Sequence, residues 1–220
     1  MHLHLPITPI KVHTMVSRLE RCPAPLVDTF YMSMHAASRS LSSSDPSKYE
    51  GLAHPAALHL LTTAPLPNDA SNRVAKVTQL QILIFMAMEA LHQAASPSNS
   101  PSARNVPTSV WLSNAVGLAF DIKLHLVMPS KKTAEDYDED AEENVERRLW
   151  WSLCVIERWH AHSTGSPSMI PEQCITYYRE DKVTLGTPLY WLARKYSPRS
   201  FDALSNVFRS YRYHGPHHPR

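Results

Sequence analysis

Histidine and cysteine are the residue types in this sequence with the greatest capacity for chemistry, because they bind metals and supply nucleophiles. Among the 220 residues are 13 histidines, and the closely spaced ones are His2 with His4, His160 with His162, and the C-terminal group His214, His217 and His218. Side chains two residues apart on a helix point about 160° away from each other, so His160 and His162 would not share a metal ion. We therefore predict no metal site and no cofactor bound by this chain.

The cysteines are poor candidates for nucleophilic catalysis, which needs a base beside the nucleophile. Cys154 lies in an apolar stretch, where a thiol usually packs as a small hydrophobic group. Cys22 and Cys174 have no neighbouring base that the sequence identifies. A Gly-x-Ser-x-Gly turn does not occur, and the 5 glycines form no glycine-rich loop for phosphate. We predict that the protein has no catalytic residues and is not an enzyme.

Carboxylates are concentrated in an acidic run, Glu135–Glu146, where eight of twelve residues are Asp or Glu. Charge repulsion predicts that the first half of this run is extended and solvated, which makes it unsuitable for acid–base catalysis. The second half is predicted to begin a helix, because acidic side chains favour the N-terminal end of the helix dipole. Glu143 and Arg147 lie four residues apart on this helix and are predicted to form an ion pair.

The overall composition indicates a globular helical protein. Hydrophobic residues make up 43% and charged residues 19%, which argues against disorder of the whole chain, and the net charge of +2 does not mark a nucleic-acid-binding protein. The sequence has 18 prolines but only 5 glycines, which disfavours β-rich folds with many tight turns. The longest apolar run, Ile82–Met88, is far shorter than the roughly 20 residues that cross a membrane as a helix, so no membrane association is expected.

Helices must position these residues, because apolar side chains recur at helical spacing and no strand pattern is convincing. The predicted fold class is an all-α, multi-helix domain with Pro/Ser-rich loops. Helices are predicted at residues 26–39 and 55–61, from a cap at Ser71 or Asn72 to about residue 95, and from 108 to about 122. One more is predicted to end near residue 163, and a short one lies at 189–195. Thr108 or Ser109 is expected to cap the fourth helix, and Gly165 the fifth, where Pro167 prevents continuation.

The chain divides by composition into an N-terminal extension (residues 1–20), a helical domain (21–195) and a tail rich in Arg, His and Pro (196–220). The tail is predicted to be disordered. Within a loop rich in serine and proline, Ser96-Pro97 and Ser100-Pro101 are candidate phosphorylation sites.

The most informative stretch runs from Glu146 to Trp159 and places two arginines, a tryptophan pair and a Glu-Arg pair on one helix. Composition and periodicity fit a core helix whose arginines extend or pair at its rim. Glu157 and Arg158 are predicted to make charge-assisted hydrogen bonds to neighbouring helices. None of these features points to chemistry on a substrate.

This stretch resembles the signature of the fungus-specific transcription factor domain, the helical middle region of zinc binuclear cluster regulators. The matching residues are, in chain order, Arg147, Arg148, Trp150, Trp151, Glu157, Arg158, Gly165 and Pro167. Two upstream segments also look like the family, Trp111–His125 and Pro25–Arg39, although Lys123 stands where the family commonly has glycine. The resemblance covers about residues 20 to 195.

The resemblance implies a helical regulatory domain of a transcription factor in a fungal nucleus, similar to regulators of xylan-degrading and sugar-transport genes. In that family DNA is contacted by a separate N-terminal module whose clustered cysteines bind zinc. The three scattered cysteines of this chain cannot form that cluster, so neither DNA binding nor zinc is assigned to its residues. The resemblance also implies that the chain is truncated at both ends. The alternative is a helical protein-interaction module, a decoy or dimerisation partner without DNA-binding function.

The resemblance further implies that the domain binds a small-molecule effector or a protein partner. That partner is either another protein or a second copy of this chain. The candidate effector pocket is an apolar gap between helices, since aromatic-lined gaps of this kind often bind small molecules. Its predicted lining residues are Phe85, Met86, Trp111, Trp150 and Trp151. The alternative interpretation is that these side chains only fill the core.

Overall fold

A computed structural model describes residues 7–8, 11–41, 53–62, 71–95, 106–128, 138–178 and 180–184. Several predictions of the sequence fall outside these ranges. They are the helix at 189–195, the tail at 196–220 and the serines at positions 96 and 100.

The described part of the chain is helical and contains no β-strand, so the predicted all-α class is confirmed. Its helices are α1 (Val12–Leu19), α2 (Ala24–Leu41), α3 (Ala53–Thr62), α4 (Ser71–Ala95), α5 (Thr108–Asp121), α6 (Glu142–Thr164) and α7 (Asp181–Thr184). Short 3₁₀ turns occur at Leu124–Leu126 and Glu172–Cys174. The sequence predicted α2 to α6 but not α1 or α7, which span only eight and four residues.

The helix ends follow from backbone chemistry at two places. Gly165 adopts the left-handed conformation, with φ of 69°, and donates its N–H to the Ala161 carbonyl, so it terminates α6 as predicted. The cap of α5 is different from the prediction, because Pro107 precedes the first turn and its carbonyl accepts the Val110 N–H at 3.0 Å. Thr108 therefore lies inside the helix, where it is buried.

Helix α4 is the centre of the core and packs against α2, α3, α5 and α6. Every residue from 80 to 87 is buried, which confirms the prediction from its nearly uniform apolar surface. The segment Arg73–Gln93 is long and apolar enough to cross a membrane, but 78% of its most apolar part is buried inside the protein. The seven-residue apolar run is much shorter than the apolar part of this helix, because a few polar side chains interrupt the run in the sequence.

Helix α6 is buried over fourteen consecutive residues, from Asn144 to Glu157. Such a stretch covers all sides of a helix, so α6 is enclosed by α4, α5, α7 and the 3₁₀ turn after α5. The enclosed residues include Glu146, Arg147 and Arg148, and charged side chains are rarely buried without partners. The partners of these charges define the candidate site.

Candidate functional site: a buried charge network around α6

Arg147 and Asp181 form a fully buried ion pair. The Arg147 Nε and Nη2 atoms donate to the two carboxylate oxygens of Asp181, each at 2.7 Å. Both side chains have 0% exposure. A two-bonded geometry of this kind is the strong form of the Arg–carboxylate interaction, and it fixes α7 against α6.

The rest of the Arg147 guanidinium is also occupied. It donates to the carbonyls of Val127, at 3.3 Å, and Thr176, at 2.5 Å. Its central carbon lies 5.3 Å from the ring centre of Trp151 and 5.0 Å from that of Tyr178. One side chain therefore connects α6 to the loop after α5 and to the segment that leads into α7.

These contacts show that two predictions from the sequence are wrong. Arg147 was expected to pair with Glu143, yet its guanidinium turns inward to Asp181, which is 34 residues away. The two arginines also do not pair at the rim of the helix, because both are fully enclosed. The reason is that a buried guanidinium needs acceptors on several sides, which a half-exposed acid on its own helix cannot provide.

Arg148 joins α6 to the turn that precedes it. Its Nη1 donates to the Glu139 carbonyl, and its Nη2 lies 3.5 Å from the Asp140 carboxylate. The other oxygen of Asp140 accepts the backbone N–H of Lys11 at 2.8 Å. Asp140 is thus buried and shared between α6 and the start of α1. The prediction that the first half of the acidic run is solvated is therefore wrong at Asp140, whereas Asp138 and Glu139 are exposed and residues 135–137 lie outside the described residues.

Glu146 uses a third face of α6 to hold α4. The Nε and Nη2 atoms of Arg73 each donate to a different oxygen of Glu146 at 2.7 Å, and Arg73 Nη1 donates to the Ile122 carbonyl at 3.0 Å. The hydrogen bond and negative charge of Glu146 raise the pKa of Arg73. This contact ties the N-terminal half of α4 to the end of α5.

Glu157 and Arg158 hold the chain that follows α6. Glu157 is fully buried, and its carboxylate accepts the Met169 N–H at 2.6 Å and the Ser168 hydroxyl at 2.9 Å. Arg158 Nη2 donates to the Ile170 carbonyl at 3.1 Å. The expected charge-assisted bonds therefore exist, but they reach the loop that turns back at Gly165 and Pro167 instead of neighbouring helices.

The tryptophan pair packs on two different sides of α6. Trp151 lies against Tyr177, with ring centres 4.4 Å apart and planes inclined at 35°. Trp150 meets the edge of Phe120 at 5.9 Å and the ring of His125 at 6.0 Å. Both indoles are almost completely enclosed, so they supply contact area to the core on two sides of α6.

The five residues predicted to line an effector pocket all belong to the same hydrophobic cluster. Each is at most 8% exposed. The indole N–H groups of Trp150 and Trp151 are buried with no hydrogen-bond acceptor within the described part of the chain. Their burial fits the interpretation that they fill the core, and the pocket stays a prediction.

Three of the partners in this network were not identified from the sequence. They are Arg73, Asp140 and Asp181. The signal that could have found them is the arginine pair within an apolar helix, because buried cations require buried anions. That signal predicts that such anions exist but does not choose among the 20 Asp and Glu residues.

No group of three or more His, Cys, Asp or Glu side chains in the described ranges lies close enough together to hold a metal ion. The histidines at 160 and 162 lie on α6, at its exposed C-terminal end.

Cys154 is expected to resist thiol reagents in the folded protein, whereas the half-buried Cys22 and Cys174 react. Burial raises the pKa of the Cys154 thiol, and the thiolate is the reactive form. Labels counted by mass spectrometry at mildly alkaline pH, before and after urea, measure this difference. The denatured chain serves as the control, since all three thiols should then react. Equal labelling of Cys154 in both states would show that its burial is wrong.

The fold and the site define an all-helical domain. Within it, the motif residues Arg147, Arg148, Glu157 and Arg158 hold the buried helix α6 to the segments around it. Comparison with known proteins places this domain in a family. The model of the fungal specific transcription factor domain matches residues 17–177, which is most of the chain. The chain therefore belongs to the fungal specific transcription factor domain family, as the resemblance implied.

One curated relative supports the same assignment. An uncharacterized transcriptional regulatory protein of Schizosaccharomyces pombe is 35% identical over 119 residues, which is 54% of this chain and 13% of the relative. This chain thus spans only a small part of that protein's length. No solved structure is significantly similar to this chain.

Proposed function

We propose that this chain acts as the regulatory domain of a fungal transcription factor, in the nucleus. The observation that carries the proposal is the family match over residues 17–177, together with the relative described as a transcriptional regulatory protein. We further propose that DNA contact and zinc binding belong to a separate module, because this chain aligns with only 13% of the relative. Its own work is binding and conformational coupling without covalent chemistry.

The charge network supports a coupling role. Glu146, Arg147, Arg148 and Glu157 are on one helix, and they attach α4, the segment leading to α7, the start of α1 and the loop after α6. A displacement of α6 would therefore disturb four separate parts of the domain at once. Enclosed networks of this kind favour discrete arrangements over gradual deformation, which is what a regulatory domain requires.

A small-molecule effector is part of this proposal. The indole N–H groups of Trp150 and Trp151, which have no acceptor among the residues that the structure describes, favour a ligand with a hydroxyl or carbonyl acceptor, such as a sugar. Because the two rings are enclosed, such a ligand would have to displace core contacts as it enters. Binding would then shift the position of α6 and reach the attached segments through the network.

A reporter assay tests the proposed function. The full chain is fused to an unrelated DNA-binding module in a fungal cell, and reporter output is compared with that of the module alone on several carbon sources. We expect the fusion to change the output, and the change to be lost with Asp181→Asn but kept with Asp121→Asn, whose ion pair is exposed. A stable fusion with the output of the module alone would contradict the proposal.

The alternative function is a helical protein-interaction module that acts as a decoy or dimerisation partner. It is favoured by large apolar side chains that are well exposed on the described surface, among them Val12 at 70%, Leu126 at 62% and Met128 at 56%. The same reporter strain separates the two functions. A decoy would leave the fusion inactive, but the unfused chain would reduce the output of a co-expressed full-length relative.

A further inference from the structure

The loop after α6 is exposed on its outer side and anchored on its inner side. Gly165 turns the chain with a left-handed backbone, and Ser166 donates its N–H to the Ala161 carbonyl at 3.0 Å. Ser166 and Pro167 are exposed and lie in no regular element. Ile170 at the end of the loop is buried in the core. The loop is therefore accessible at its tip but firmly attached at its base.

Two serines on this loop differ in how their hydroxyls are engaged. The Ser168 hydroxyl donates to the buried Glu157 carboxylate at 2.9 Å, so it is committed to the anchor. The Thr164 hydroxyl donates its single proton to the His160 carbonyl at 2.8 Å. The Ser166 hydroxyl lies 3.0 Å from the Thr164 hydroxyl in an exposed contact, which water can replace. Proline follows Ser166 directly.

We propose that Ser166 is a phosphorylation site for a proline-directed serine/threonine kinase. In this reaction the Ser166 hydroxyl oxygen attacks the γ-phosphorus of ATP and forms a new P–O bond. The bond from that phosphorus to the β–γ bridging oxygen breaks, ADP leaves, and the hydroxyl proton passes to the base of the kinase. The chemistry is independent of the transcriptional role, because it needs only an exposed serine followed by proline.

The position of Ser166 gives the modification a structural consequence. A phosphoserine carries close to two negative charges at neutral pH. It would stand just beyond the C-terminus of α6, where the helix dipole is negative and the carbonyls of the last turn point outward. The loop itself is held by the buried Glu157 carboxylate of α6, which accepts from Ser168 and Met169 and lies 3.9 Å from Arg158 Nε. Repulsion between the phosphate and the negative end of the helix dipole loosens the attachment of the loop.

The site is tested on the full chain with a purified proline-directed kinase and ATP, and the phosphate is located by peptide mass spectrometry. Localisation is essential, because the sequence has six Ser-Pro or Thr-Pro steps, at positions 8, 96, 100, 166, 187 and 197. We expect phosphate on residue 166, its loss in Ser166→Ala and Pro167→Ala, and its retention in the matched control Ser168→Ala. Phosphate found only at other positions, or undiminished at Ser166 in Pro167→Ala, overturns the proposal.

Hydrogen exchange then measures the consequence on the same samples. The Met169 amide is protected by its 2.6 Å hydrogen bond to Glu157, so its exchange reports the attachment of the loop. We expect exchange about twofold to fivefold faster after phosphorylation, the size of a charge effect at a helix end. Unchanged exchange at Met169 in the fully phosphorylated protein overturns the structural consequence.

Discussion

Replacing Asp181 with asparagine is expected to destabilise the protein by about 3–5 kcal/mol, the cost of removing one partner from a buried ion pair. The substitution keeps the shape of the side chain but leaves the Arg147 cation enclosed without its counter-charge, since both side chains have 0% exposure. Small domains are stable by only about 5–15 kcal/mol, so a loss of this size threatens folding at growth temperature. Urea unfolding followed by circular dichroism measures it.

A matched control and a double mutant separate the ion pair from general damage. Asp121→Asn removes the acid of a surface pair, where Lys76 Nζ lies 2.8 Å from a carboxylate that is 60% exposed, and should cost about 0–1 kcal/mol. Arg147→Met combined with Asp181→Asn removes both buried charges. The double mutant should lose less than the sum of the single mutants, with a coupling of roughly 0.5–3 kcal/mol. Additive losses, or an Asp181→Asn loss equal to that of Asp121→Asn, would show that the pair is not the anchor.

If the stability of the domain depends on Asp181, the folded unit extends beyond the family match, which ends at residue 177. The residue lies in α7, a helix of four residues, and its carboxylate also accepts the Tyr178 N–H at 2.8 Å. Sequence reasoning found Arg147 through its motif but not Asp181, because a four-residue helix has no periodicity to detect. The pairing is a tertiary contact, and its 34-residue separation is invisible to local patterns.

The longer helices were predictable because each carries enough apolar residues to show the helical period. Helix α4 was predicted to start at a cap on Ser71 or Asn72 and to run to about Ala95, and it is observed at Ser71–Ala95. In contrast, α1 spans eight residues and buries Leu19 alone, so its pattern is too short to distinguish from a loop. Sequence reasoning also left open which charges of α6 are enclosed. Burial depends on the neighbours that surround a helix, and those neighbours come from distant parts of the chain.

Replacing Trp150 with alanine is expected to cost about 3–5 kcal/mol, the range for truncating a large aromatic side chain in a core. Trp150 has 0% exposure and packs against Phe120 and His125, so alanine leaves a cavity that these rings cannot fill without shifting. The same urea measurement gives the loss of unfolding free energy, with circular dichroism as the signal because the change alters tryptophan fluorescence.

Trp159→Ala is the matched control, since it makes the same chemical change on the same helix. Trp159 is 44% exposed, and its truncation removes contacts on one side only, so the expected loss is below about 1 kcal/mol. The contrast tests what the sequence could not decide, namely which tryptophans of α6 face the core. If both variants lose similar stability, the orientation of α6 is wrong, and the buried charge network placed by that orientation is wrong with it.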